Sequence, residues 1–178
     1  NQFMQAVEDN QSYFTEFEDK QYQEYNARDI FNLIIEGMWK NGEPSVLFRD
    51  RINNSPYRTT GQEIFSTNPC SEQPLPINAA CNLGSMDISK FINKDKSTDY
   101  DKLLIAIQLG VNFLDSVIDA TSFPTPEIQE WSYANRPVGL GIMGLADYFL
   151  MKKIAYGSQE SLDELSEILK FLRDVSDM

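Results

Sequence analysis

Three prolines within eight residues constrain the fold of this chain more than any other feature of its sequence. Pro69, Pro74 and Pro76 lie between residues 62 and 80. A proline in a helix interior removes a backbone hydrogen bond and clashes with the preceding turn, so this segment cannot form a long helix. It is predicted to be extended chain or loop, and it contains Cys70, one of two cysteines in the chain.

Helical and strand-like patterns alternate on both sides of this segment. Apolar residues recur at helical spacing over 27–39, 100–119, 126–131, 143–152 and from 159 onward. Short apolar runs that predict strands lie at 45–48, 82–88 and 136–140, whereas residues 1–26 show no clear period. The alternation of helices with short strands predicts the α/β fold class.

Capping residues support these helices. Gly42 is predicted to end the first one, and Pro126 suits the first position of another. Four residues that favour the N-cap position directly precede predicted helices: Asn26, Asp99, Thr125 and Ser158.

The composition excludes several kinds of site. The chain has no histidine, which excludes a Ser-His-Asp triad and a His-Glu-x-x-His zinc site. Two cysteines cannot supply a four-cysteine zinc site, so no metal site is predicted, although carboxylates alone leave magnesium or calcium open. With 27 acidic and 15 basic residues the formal charge is −12, which argues against nucleic acid or an anionic membrane as partner.

The sequence also suggests a location. No stretch approaches the roughly 20 apolar residues that a membrane span needs, and the polar, acidic first residues do not form a signal peptide. Two cysteines do not make a secreted disulfide framework. A cytoplasmic protein is expected, and the absence of an initiating methionine suggests a fragment or a processed product.

A glycine run offers one functional hypothesis. Gly139–Gly144 matches the G-x-G-x-x-G dinucleotide pattern, and Asp163 lies at about the distance of the expected ribose ligand, although within a helical pattern. The alternative is a strand-to-helix turn in which glycines permit close packing. Arg136, just before the run, could bind phosphate or form an ion pair; in so acidic a chain the ion pair is favoured.

The proline segment offers a second hypothesis. In extended chain alternate side chains share a face, and Pro69 favours extended geometry at Asn68. Asn68, Cys70 and Glu72 would then present an amide, a thiol and a carboxylate to one ligand. A carboxylate disfavours a neighbouring thiolate, so one-electron chemistry at a thiyl radical suits Cys70 better than nucleophilic attack. The alternative is a buried, inert cysteine.

The stretch NPCSEQPLPINAACNLGS resembles the active site of the ribonucleotide reductase large (catalytic) subunit. FMQAVEDN, ARDIFNLIIEGMWKNGEP, FRDRIN and ANRPVGLGIMGLADYFL are also similar to segments of that family. The resemblance implies part of a ten-stranded α/β barrel in which a central finger loop carries the active-site cysteine. It also implies that residues 1–178 form a single partial domain from the middle of the barrel.

The resemblance assigns roles by position. Cys70 would carry the thiyl radical that abstracts the ribose 3′-hydrogen, and Glu72 would accept the 3′-hydroxyl proton. Asn68 would hydrogen-bond the substrate, and Cys81 would be half of the reducing dithiol that ends as a disulfide. Substrate contacts are expected at three further positions: Ser71, Asn82 and Gly84.

The spacing of Cys70 and Cys81, eleven positions apart, most resembles the adenosylcobalamin-dependent (class II) enzymes. Otherwise a diiron or dimanganese partner subunit would supply the radical. The implied partners are a ribonucleoside di- or triphosphate, a thioredoxin- or glutaredoxin-type reductant, the remaining segments of the subunit, and a second copy in a homodimer.

The family's dithiol partner of Cys81, its C-terminal shuttle cysteines and its phosphate-binding segment have no counterpart in this sequence. We therefore expect a middle piece of the barrel that is inactive alone. Three alternatives remain: a glycyl-radical enzyme, a nucleotide-binding module that uses Gly139–Gly144, and a non-catalytic relic or interaction fragment.

Overall fold

The computed structural model describes residues 2–55 and 61–178. The sequence of residues 53–61 predicts turns, and most of this stretch lies outside the described residues. The chain divides into two compact units, Asn1–Ile77 and Asn78–Met178.

The first unit mixes short helices with two antiparallel hairpins. Its elements are α1 (Gln2–Glu8), β1 (Ser12–Phe17), β2 (Lys20–Asn26), α2 (Ala27–Asn41), α3 (Arg49–Asn53), β3 (Ile64–Thr67) and β4 (Pro74–Pro76). β1 pairs with β2, and β3 pairs with β4. A small core of Ala6, Val7 and Ala27 holds α1 and α2 together.

The predicted caps of α2 are confirmed. Asn26 ends β2, and its side chain accepts a hydrogen bond of 3.2 Å from the Asp29 amide. Gly42 adopts the left-handed conformation, with φ of 81°, and its amide donates to the Met38 carbonyl. Glycine reaches this conformation without a steric penalty, which is why the helix ends here.

One prediction for this unit was wrong, and one segment without a predicted structure contains helix and strand. Residues 45–48 do not form a strand; Val46, Leu47 and Phe48 are exposed, and the chain enters α3 at Arg49. An apolar run becomes a strand only beside a pairing partner, and the described strands of this unit pair within their own hairpins. Conversely, residues 1–26, which showed no clear period, form α1 and the β1–β2 hairpin.

The second unit is built on two parallel strands. Its elements are β5 (Asn82–Asp87), a 3₁₀ helix (Ile88–Phe91), α4 (Tyr100–Ala120), α5 (Pro126–Asn135), β6 (Val138–Met143), α6 (Leu145–Lys152) and α7 (Gln159–Ser176). β5 and β6 pair in register from Asn82 opposite Val138 to Asp87 opposite Met143. Parallel strands need a crossover connection, and α4 and α5 supply it.

The long helix α4 forms much of the core of this unit. It packs against β5, β6 and α7, and one face is buried through Leu103, Ile107, Leu114 and Ile118. Three predicted N-caps are confirmed, each accepting a bond from a backbone amide within the first turn: Asp99 from Lys102 at 3.1 Å, Thr125 from Ile128 at 3.4 Å and Ser158 from Ser161 at 3.2 Å.

The strand predicted at 136–140 begins two residues later than expected. Arg136 closes α5 in a left-handed conformation, with φ of 45°, and β6 starts at Val138. The strand then continues to Met143, and α6 starts at Leu145 rather than Met143. The structure is thus mixed helix and strand, and the strands of its described residues form three two-stranded sheets rather than a closed barrel.

The expectation that no stretch approaches a membrane span needs correction at α4. Among the described residues, this one helix is long and apolar enough to cross a membrane, by length and composition only. The core helix of a folded domain meets the same criterion, and the buried face of α4 packs on its own unit.

Candidate active-site hairpin and the Cys81 strand

Cys70 lies at the tip of the β3–β4 hairpin. Thr67 pairs with Pro74 at the end of the ladder, which leaves residues 68–73 as the connecting loop. Pro74 and Pro76 restrict the backbone of β4, the strand that follows this six-residue loop.

Asn68 closes this loop with three hydrogen bonds. Its amide donates to the Gln73 carbonyl at 3.2 Å, and its side-chain Oδ1 accepts from the Gln73 amide at 3.0 Å. Its carbonyl accepts from the Ser71 amide at 3.0 Å. Asparagine side chains commonly stabilise turns by bonding to nearby backbone in this way.

The extended row predicted for Asn68, Cys70 and Glu72 does not form. Residues 69–70 lie in a turn, and Ser71 has a left-handed φ of 65°. The Asn68 bonds to Gln73 fold the segment back on itself, so strand alternation does not apply here. The loop still gathers all three side chains within five consecutive residues.

The alternative of a buried cysteine is wrong for Cys70. Cys70 is exposed and its thiol is free, and Glu72 is exposed as well. Ser71 is half-buried, and its Oγ lies 3.4 Å from Oγ of Ser45. The loop tip thus presents a thiol and a carboxylate to solvent, while Ser71 contacts the unit's own chain.

The other candidate residues lie in the second unit, at the start of β5. Cys81 is exposed and free. Asn82 begins the strand, and its Nδ2 donates to the Leu114 carbonyl at 3.2 Å. Gly84 faces Leu114 as well, since a Cβ built on it would lie 3.5 Å from the leucine side chain. The side-chain amide of Asn82 and the small size of Gly84 therefore both help α4 to pack against β5.

The glycine run does not form a phosphate-binding turn. Gly139 and Gly141 lie within β6 and pair with β5. A Cβ on Gly139 would come within 2.5 Å of Leu83, so this glycine makes room for a neighbouring side chain. Gly144 caps α6 in the left-handed region at φ of 72°, directly beside the Asp87 carboxylate. A negative charge at that position disfavours phosphate.

Arg136 forms the ion pair that its acidic surroundings favoured. Its guanidinium donates to both carboxylate oxygens of Asp115, at 2.6 and 2.8 Å, and to Asp119 at 2.9 Å. The hydrogen bonds from Arg136 hold the pKa of Asp115 below its ordinary value. Arg136 thus joins the end of α5 to α4.

A polar cluster in the second unit escaped the sequence analysis. The buried Tyr148 hydroxyl donates to Glu164 at 2.5 Å and contacts Thr98 at 2.5 Å, and Lys152 pairs with the same glutamate. Burial, followed by the bond to Glu164, raises the pKa of Tyr148. The spacing of these residues carried no signal, because three separate elements bring them together.

Comparison with known protein families matches nearly the whole chain. The family model described as the ribonucleotide reductase barrel domain covers residues 3–176. The chain belongs to the ribonucleotide reductase family. This membership places the Asn-Pro-Cys-Ser-Glu loop and the glycine run in one family pattern, and the run needs no separate dinucleotide function.

Individual ribonucleotide reductases are similar to this chain at moderate identity. The vitamin B12-dependent ribonucleoside-diphosphate reductase of Thermoplasma acidophilum is 40% identical over 151 residues, which covers 84% of this chain and 20% of that protein. The corresponding Mycobacterium tuberculosis enzyme is 33% identical over 84% of this chain and 22% of its own length. A ribonucleoside-diphosphate reductase subunit alpha of Chlamydia pneumoniae is 32% identical, over 84% and 15%.

The chain thus spans about a fifth of the length of the B12-dependent relatives that it matches. The two more similar relatives named above are B12-dependent, and the third is described as a subunit alpha. Among residues 2–55 and 61–178, no group of three or more histidine, cysteine, aspartate or glutamate side chains is arranged to hold a metal ion.

Proposed function

We propose that this chain is a segment of a ribonucleotide reductase catalytic subunit and that Cys70 is its radical residue. The observation that carries the proposal is the exposed Cys70 thiol at the tip of a hairpin that Asn68 closes. Glu72 follows two residues after Cys70 in the same loop. Family membership supplies the reaction class. The same membership supports a partial domain, residues 1–178, from the middle of a ten-stranded barrel in which this hairpin is the finger loop.

The proposed chemistry uses a thiol, a carboxylate and an amide. The Cys70 thiyl radical takes the hydrogen atom from C3′ of the ribose, which leaves a thiol and a carbon radical. Glu72 accepts the 3′-hydroxyl proton as general base, and the 2′-hydroxyl leaves as water. A dithiol that includes Cys81 supplies two electrons and two protons and ends as a disulfide.

The loop geometry sharpens the role of Asn68. Its Oδ1 holds the loop through Gln73, and its Nδ2 donates no hydrogen bond to any residue in the described part of the chain. Nδ2 is therefore available to donate to a substrate hydroxyl. One side chain can then set the loop and bind the substrate at the same time.

Adenosylcobalamin is the proposed source of the radical, since the two more similar relatives are B12-dependent. The exposed Cys70 thiol is accessible to a radical formed outside this chain. When bound, that cofactor supplies the radical by breaking its cobalt–carbon bond. A partner metal subunit is the alternative. The substrate is a ribonucleoside di- or triphosphate and the reductant a thioredoxin- or glutaredoxin-type protein. The rest of the subunit and a second copy complete the proposed assembly in the cytoplasm.

Serine variants of the two cysteines test this proposal in the complete catalytic subunit. We expect Cys70→Ser to give no deoxynucleotide even in a single turnover, with nucleotide affinity unchanged, because serine cannot serve as the radical residue. Cys81→Ser should block repeated turnover with thioredoxin. Turnover retained by Cys70→Ser would refute the radical assignment, and undiminished thioredoxin-driven turnover in Cys81→Ser would refute the dithiol role.

A further inference from the structure

A small pocket lies within the second unit, between the start of β5, the end of α4 and α5. Its volume is about 100 Å³. Cys81, Asn82, Thr121 and Ser132 line it, together with apolar side chains such as Phe123. Every lining residue is uncharged in this described part of the chain, so the pocket suits a neutral ligand.

Two buried polar atoms at this pocket have no partner among the described residues. They are Oδ1 of Asn82 and Oγ of Ser132. Ser132 is only 2% exposed, and Asn82 is held in orientation by the bond from its Nδ2 to Leu114. Buried polar atoms in folded proteins are nearly always hydrogen-bonded, so an orphaned pair at one pocket points to a ligand.

We propose that this pocket binds a small neutral molecule that carries a hydroxyl group on a short apolar chain. When such a molecule also carries a disulfide or thiosulfonate sulfur, Cys81 can capture it as a mixed disulfide, and the group on the far side of that sulfur leaves with the electron pair. A hydroxyl both donates and accepts, which matches the Asn82 acceptor and the Ser132 hydroxyl. The apolar side chains that line the pocket can pack against the short apolar chain of the ligand. The volume is that of about three water molecules, which limits the ligand to a few non-hydrogen atoms.

This site goes beyond the proposed function, in which Cys81 acts only as one thiol of a protein dithiol. If the pocket hydrogen-bonds the ligand's hydroxyl, an analogue without that hydroxyl should bind more weakly. The buried polar atoms of Asn82 and Ser132 would then be left without hydrogen-bond partners. The two cysteines of the chain provide a comparison within one molecule, since Cys70 is also exposed but does not line this pocket.

The probes are 2-hydroxyethyl methanethiosulfonate and its propyl analogue, which differ by a hydroxyl in place of a methyl group. In both reactions the thiol loses its proton to solvent and the sulfur attacks the sulfenyl sulfur. A disulfide to the protein forms, the bond between the two reagent sulfurs breaks, and methanesulfinate leaves with the electron pair. Peptide mass spectrometry of the 178-residue chain gives a rate for each cysteine.

We expect the hydroxyethyl-to-propyl rate ratio to be about tenfold higher at Cys81 than at Cys70, a difference of about 1.4 kcal/mol. Ser132→Ala should lower the Cys81 ratio to that of Cys70. Thr121→Val should leave it unchanged, because the Thr121 hydroxyl already donates to the Val117 carbonyl at 2.6 Å.

Equal ratios at the two cysteines of the unmodified chain would overturn the proposal, whatever the variants do. So would a Cys81 ratio that survives Ser132→Ala in a variant with unchanged circular dichroism. These readouts involve no nucleotide reduction, so their failure would leave the proposed radical function untouched.

Discussion

At the scale of single residues, Asn68 combines an observed structural contact with a proposed role in substrate binding. Oδ1 closes the hairpin loop through the Gln73 amide, and Nδ2 is the proposed hydrogen-bond donor to the substrate. An asparagine at this position is therefore not equivalent to an aspartate, which lacks the donor, or to an alanine, which lacks both the donor and the acceptor.

Replacing Asn68 should separate these two parts in the complete enzyme. Asn68→Asp keeps an oxygen for the Gln73 amide but loses the Nδ2 donor. We expect nearly unchanged loop stability and a loss in kcat/KM of about fivefold to a hundredfold, since an uncompensated substrate hydroxyl costs about 1–3 kcal/mol.

Asn68→Ala is the variant to compare with Asn68→Asp, because alanine lacks both the Oδ1 acceptor and the Nδ2 donor. It should loosen the loop as well, which faster hydrogen exchange at the Gln73 amide would report. Equal exchange rates in the aspartate and alanine variants would contradict the division of roles.

Sequence reasoning identified the residues of the candidate site but not their local geometry. The residue types at 68, 70 and 72 were sufficient to suggest an amide, a thiol and a carboxylate acting together. The turn could not be read from strand alternation, because it depends on a side-chain bond from Asn68 to Gln73. The role proposed for Ser132 could not be predicted from the sequence either, because it depends on a pocket that three separate elements form.

At the scale of elements, capping residues proved the most reliable guide. Asn26, Asp99, Thr125 and Ser158 cap helices as predicted, because a cap is a local hydrogen bond that neighbouring sequence dictates. Strands depend on distant partners, so the apolar run at 45–48 was misread. The β1–β2 hairpin was missed because its strands are mostly exposed and lack an apolar alternation.

The cap of α7 gives a direct test of this local stabilisation. Ser158→Ala removes the acceptor for the Ser161 amide, so we expect the free energy of unfolding to fall by about 1 kcal/mol. Urea denaturation followed by circular dichroism measures the change.

Ser166→Ala is the control in the same helix. Ser166 is exposed and lies inside α7, where alanine has the better helix propensity. Its replacement should not destabilise the chain. A loss at Ser166 as large as that at Ser158 would show that the cap is not the cause.

At the scale of the whole molecule, an excess of acidic residues is stabilised by local donors. Serine, lysine and arginine side chains donate to several carboxylates and lower their pKa values, as at Asp87, Asp99 and Asp115. Glu164 is a further example, and both its side chain and that of its partner Lys152 are mostly buried. Burial by itself raises the pKa of Glu164, but the hydrogen bonds from Lys152 and Tyr148 outweigh it and hold the pKa below its ordinary value.

The lowered pKa of Glu164 predicts how the free energy of unfolding changes with pH. Because the folded-state pKa of Glu164 lies below the unfolded value near 4.5, its stabilising effect is fully present above that pH. It is lost as the pH falls through the folded-state pKa. Glu164→Gln should lower the free energy of unfolding by about 2 kcal/mol at pH 7, and the difference from the unmodified chain should shrink on acidification.

Thermal unfolding at a series of pH values would measure that difference. Glu167→Gln serves as the control and should show little effect at any pH, because Glu167 is exposed and lies three residues beyond Glu164 in α7. A Glu164→Gln deficit that stays constant down to pH 3 would contradict the proposed pKa shift.

The prolines of β4 have a consequence for association between chains. Two of the three residues in this strand are prolines, so only Leu75 has an amide hydrogen. An incoming strand could therefore receive at most one hydrogen bond from β4, and proline-rich edges resist such additions. The hairpin that carries Cys70 is thereby protected on this side from strand exchange and from templating aggregates.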